Sequence, residues 1–134
     1  MSKKIVVTQI SEKEIWVNDC KLRLGEDNII YNTAAKNPDE EQALAINEAI
    51  YKLANIPEGK VCMLIDITDT GRPTAKARKI FSSLEEMNQI RKHAFFGAHP
   101  VARILASFFI TFNKRKNLAF FETKEEALAW LKEE

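Results

Sequence analysis

The side chains best suited to chemistry crowd into one stretch, Leu64 to Thr74, reading LIDITDTGRPT. Asp66 and Asp69 are two carboxylates separated by two residues, directly after an apolar run. The C-terminal end of a buried strand is where open α/β sheets gather ligands, so the placement is suggestive. Holding a metal or accepting a phosphoryl group would also require a third acid and a well-placed lysine, and the loop offers neither. Thr70 and Thr74 stand beside an expected helix start, whose free amides and positive dipole end would receive a phosphate. The structural alternative is that Thr74 caps the helix while Thr70 forms a turn with Gly71. His93 and His99 have no Cys or carboxylate at ligand spacing; His99, before Pro100, reads as a helix-start residue and His93 as a strand-edge residue. Cys20 and Cys62 stand alone in unrelated segments, which points to free thiols in a reducing compartment rather than a disulfide. No glycine-rich phosphate loop, nucleophile elbow or zinc-protease motif occurs. No catalytic residue, metal ligand or cofactor is assigned.

The aromatic residues carry a second signal. Seven of the eight Phe fall between positions 95 and 121. Val101, Ile104, Leu105, Phe108, Phe109 and Phe112 recur at helical spacing and form a core stripe. Ala102, Ala106 and Ile110 make a further apolar line on another side, which is more apolar surface than one sheet face requires. Three uses are open: packing on a terminal helix through Trp130, a subunit or partner interface including a homodimer, or the wall of a pocket for a small apolar or amphipathic ligand beside Phe108, Phe109 and Phe112. Lys114, Arg115 and Lys116 add a small basic edge, which solvation alone can explain.

These residues need elements to hold them. Ile15 to Val17 and Asn28 to Thr33 read as strands, joined by the polar DCKLRLGED, part of which extends either strand; residues 5–9 are a further strand or a frayed end. Asn37-Pro38-Asp39-Glu40 opens the first helix, with Asn37 as cap and Pro38 as its first residue, and Ala43, Ile46, Ile50, Leu53 and Ala54 mark its apolar face. Val61 to Ile65 reads as a strand buried on both faces. A second helix is expected from Thr74 to Arg91, a short strand from His93 to Ala98, and a third helix from Pro100 to Asn113. A last strand, Asn117 to Phe121, leads to a capping box at Thr123-Lys124-Glu125-Glu126 and a terminal helix. The expected order is ββαβαβαβα, an α/β domain with a mixed, mostly parallel sheet of about five strands and four helices.

The bulk properties fit one such unit over residues 1–134. Hydrophobic residues make up 46% and charged residues 29% of the chain, an ordinary globular balance. A net charge of +1, from 20 basic and 19 acidic side chains, provides no general pull toward nucleic acid. The N-terminal apolar run is too short for a signal peptide, and residues 101–112 fall well below the roughly 20 needed to span a bilayer. No membrane span and a cytoplasmic location are expected.

A family resemblance rests on two stretches. GAHPVARILASFFITFNK followed by LAFFETKEEALAWL, and MLIDITDTGRPTAKARKIF, resemble the STAS superfamily, and more closely small bacterial proteins described as STAS-like or SpoIIAA-like, some grouped with Sec14-type lipid-binding folds. The likeness spans about residues 14–134. It implies a SpoIIAA-like fold, no catalytic role, and regulation through a protein partner. In the anti-sigma-factor antagonists of that superfamily a serine at the start of the second helix, in a D-S-S-G pattern, is phosphorylated. This chain has Asp69-Thr70-Gly71 and then Thr74 in its place, with no serine.

Overall fold

The computed structural model describes residues 4–71, 73–97 and 117–133. Four strands open it: β1 (Val7–Ser11), β2 (Glu14–Val17), β3 (Cys20–Leu24) and β4 (Ile29–Thr33). Helix α1 (Glu40–Ala54) and strand β5 (Val61–Asp66) follow, then α2 (Ala75–Ser82), a 3₁₀ turn over Ser83–Glu86, and β6 (Ile90–Phe96). Strand β7 (Leu118–Phe121) and helix α3 (Lys124–Lys132) complete the described residues.

Among the described residues the sheet has seven strands in sequence order, not about five. Three pairings, β1 to β4, are antiparallel and three, β4 to β7, are parallel, so it is evenly mixed rather than mostly parallel. Two extra strands come from segments that sequence patterning left open. Residues 7–11 form β1, although all five are exposed. Within DCKLRLGED, Cys20, Leu22 and Leu24 alternate with Lys21 and Arg23, a period-two pattern that makes β3. Its hairpin with β2 turns on Asn18, at φ 53, and the β3–β4 turn on Asn28, at φ 60; asparagine tolerates this left-handed region.

Three helices lie among the described residues, and two expected boundaries move. Asp39, not Asn37, caps α1: its carboxylate accepts from Gln42 N at 2.9 Å. Pro38 stays outside the helix, where its carbonyl accepts from Thr74 N at 3.3 Å. The second helix ends at Ser82, not Arg91. Ser82 and Ser83 turn their hydroxyls onto the carbonyls of Lys79 and Ile80, both at 2.6 Å, the α-helix tightens into the 3₁₀ turn, and the chain enters β6.

The strands separate two cores. Helices α1 and α2 cover one face, where Ile15, Val17, Leu22, Ile30, Met63 and Ile50 are buried. Helix α3 covers part of the other, packing Ala127 and Leu131 on Ile29, Cys62, Leu64 and Ala94. Alternate residues of β5 serve each core, which is why its run is apolar throughout. Cys20 and Cys62 belong to these opposite cores and are free. Burial pushes the Cys20 thiol up to about 12, with Asp19 adding to the effect.

Candidate functional site

The loop after β5 is held on three sides. Asp66 Oδ1 accepts from Thr68 N at 2.9 Å and Thr68 Oγ1 at 2.6 Å, which closes a local turn at the strand end. Thr70 Oγ1 donates to Ala35 O at 3.3 Å and Gly71 N to Lys36 O at 2.6 Å, laying the loop on the β4–α1 connection. Gly97, at φ +85, ends β6 against Thr68, and a Cβ there would collide with the threonine side chain. Asp69 is exposed and Asp66 half-buried. No cluster of three or more His, Cys, Asp or Glu able to hold a metal exists among the described residues.

The two threonines have different settings. Thr74 is exposed and caps α2, its hydroxyl accepting from Ala77 N at 3.1 Å. Thr70 is half-buried, and its hydroxyl is used in tying the loop down. A phosphoryl group at Thr74 would sit at the helix N-terminus in open solvent, whereas one at Thr70 would break the contact with Ala35.

Beyond Thr74, the outer sides of α1 and α2 form an open groove of about 610 Å3. Leu44 and Tyr51, 54% and 45% exposed, lie along it with Ile80. Asn47 underlies it and links the helices, its amide donating to Ile80 O at 2.8 Å and Ser83 Oγ at 3.3 Å.

On the opposite face of the sheet, among the described residues, α3 reaches Ile29 of β4 but does not cover β2 or β3. A cleft of about 300 Å3 opens there, bordered by Glu14, Lys21, Arg23, Tyr31, Asp66 and Lys124 and floored by Leu64 and Phe96. This cluster is not evident from the sequence, where the β3 residues read as a polar connection that extends one or other neighbouring strand rather than as a strand of its own. The alternation from Cys20 to Leu24 was the signal that could have revealed it.

His93 is a correction of another kind. It lies inside the sheet rather than at an edge, since β6 pairs with β5 and β7, and it is 3% exposed. Burial lowers its pKa to about 4, and its Nε2 has no hydrogen-bond partner among the described residues. His99, Lys114 to Lys116, and the interface or pocket candidates Ala102, Ala106, Ile110, Phe108, Phe109 and Phe112 lie outside the described residues.

The family model described as "Domain of unknown function (DUF7793)" matches residues 24–134. The chain belongs to the DUF7793 family. No curated protein matches it. Two crystal structures share the fold of this DUF7793 chain. One is an uncharacterized protein of the DUF3478 family with a SpoIIAA-like fold, from Shewanella loihica PV-4; it is 18% identical, with a TM-score of 0.63 and 98% of each chain covered. The other, from Thermotoga maritima, is described as a "putative anti-sigma factor antagonist"; it is 12% identical, with a TM-score of 0.62, covering 84% of this chain and 93% of that one. The DUF7793 chain therefore has a SpoIIAA-like fold. The family match begins within β3, so β1 and β2 precede it. No helix among the described residues is long and apolar enough to cross a membrane.

Proposed function

We propose that the chain is a single STAS-type regulatory unit without enzymatic activity, acting by binding a protein partner. The partner docks on the α1–α2 face and the loop from Asp66 to Thr74, and phosphorylation of Thr74 alters that docking. The observation that carries this reading is the open groove lined by Leu44, Tyr51 and Ile80, on the two helices flanking the loop. An apolar strip left exposed on a helix pair is a common feature of interaction surfaces. The SpoIIAA-like fold shared with a protein described as a "putative anti-sigma factor antagonist" supports the same class. Asp66 supports it too, since its carboxylate serves the loop turn.

The test is affinity capture from the native cell extract, followed by titration of the purified candidate partner. Wild type is compared with Leu44→Glu combined with Ile80→Glu, and separately with Thr74→Glu. A partner bound by wild type and weakened at least tenfold by the groove variant supports the reading. Equal binding by all three proteins overturns the assigned surface, and unchanged binding by Thr74→Glu alone overturns the switch.

A further inference from the structure

Among the described residues, the open part of this sheet face concentrates cations that have no acidic partner within ion-pair distance. Lys21 and Arg23 project from β3 and Lys124 from the first turn of α3, and none has a carboxylate within 4.0 Å among the described residues. Glu14 stands directly opposite Arg23 in the β2–β3 register, where an ion pair would be expected. Its Oε2 instead accepts from Trp16 Nε1 at 2.7 Å, and the Arg23 guanidinium lies 4.5 Å from the centroid of the Tyr31 ring. Lys124 approaches the same ring at 5.6 Å. Tyr31 is fixed between them by its hydroxyl, which donates to Asp27 at 2.6 Å. Burial and that hydrogen bond push the Tyr31 pKa up to about 12, so the phenol stays neutral beside its cations.

We propose that this cleft binds a small organic anion, a carboxylate or phosphate group carried on a flat apolar body. The charge selects the anion. Three cations border the cleft against the two carboxylates of Glu14 and Asp66, each of which already accepts a hydrogen bond from a neighbour. The floor selects the body. Half-buried Phe96 offers apolar contact, and the Arg23 guanidinium presents a flat face on which a ring can stack. A volume of about 300 Å3 lies at the lower edge for small-molecule sites and suits a single ring with one charged substituent. The cleft is on the sheet face opposite α1 and α2, and Asp66 is the one residue it shares with the loop proposed to meet the protein partner.

Phenyl phosphate is the probe, titrated into isotope-labelled full-length protein by NMR, with inorganic phosphate and a short single-stranded oligonucleotide run in parallel. Saturable, salt-sensitive shifts at Arg23, Tyr31, Phe96 and Lys124 are expected, with weaker binding of inorganic phosphate. Arg23→Gln and Lys124→Gln should each weaken phenyl phosphate by roughly tenfold. Both side chains are on the surface, so an unchanged thermal melt verifies the fold of each variant. The proposal is overturned by an absence of saturation, by equal affinity for inorganic phosphate, or by unchanged binding in both variants. Tighter binding of the oligonucleotide over the same residues also overturns it, in favour of a nucleic-acid surface.

Discussion

His93 illustrates how a residue acquires a property that its type alone does not give. In β6 it lies between Met63 and Leu118 on the face covered by α1 and α2, and burial disfavours its charged form. An unfolded chain takes up a proton near pH 6.5, while the folded chain resists until about pH 4. Stability therefore falls as pH drops through that window, by on the order of 3 kcal/mol in total. Urea titrations across the window should show this slope in wild type and a flatter one in His93→Leu; parallel slopes would contradict the assignment. Thr74 is the opposite case. Its capping role was legible because a helix N-terminus leaves amides unsatisfied and a preceding hydroxyl is the local remedy, a constraint contained within four residues. The pairing of Arg23 with Tyr31 was not legible, because it depends on which residues of β3 and β4 come to lie side by side.

At the scale of elements, the α1–α2 pair is held by apolar packing and one buried amide. Asn47 is 7% exposed; its Nδ2 bridges to the end of α2, while its Oδ1 has no hydrogen-bond partner among the described residues. Asn47→Ala should lower stability by about 1–2 kcal/mol, through the lost hydrogen bonds and the vacated volume. Asn47→Leu should recover part of that loss by filling the space and removing the unpartnered oxygen. Urea midpoints at constant slope measure both, and a neutral Asn47→Ala would show that the bridge adds nothing. The apolar face of α1 was legible as a 3.6-residue period, and Ala43, Ile46, Ile50, Leu53 and Ala54 are all buried as expected. The end of α2 was not, because Leu84 and Met87 continue a helical spacing while belonging to a 3₁₀ turn and its exit.

For the whole molecule, the sheet makes a graded prediction about its N-terminal edge. Every residue of β1 is exposed, whereas β2 contributes Ile15 and Val17, 2% and 0% exposed, to the main core. A chain beginning at Glu12 loses this exposed strand and Ile5, which packs on the margin of the core, and should still melt cooperatively with a loss of roughly 1–2 kcal/mol. A chain beginning at Lys21 forfeits two buried aliphatic side chains, each contributing about 1.5–3 kcal/mol, and opens the core beside α1. Circular dichroism melts distinguish the two, and equal stability would mean that β2 is not part of the cooperative unit.

The sequence by itself determined the alternation of helix and strand from α1 to β6, the caps at Thr74 and Thr123, the buried central strand and the absence of recognised catalytic motifs, since each is encoded in residues close along the chain. Tertiary structure decided the rest: seven strands among the described residues instead of about five, the even mixture of parallel and antiparallel pairs, the burial of His93, and the meeting of Lys21, Arg23, Tyr31 and Lys124 around one cleft. The physical reason is that strand pairing, burial and charge neighbourhoods are properties of contacts between distant segments. Lys124 reaches the Tyr31 ring across 93 positions of sequence only because α3 packs onto the face of the sheet that β4 shares.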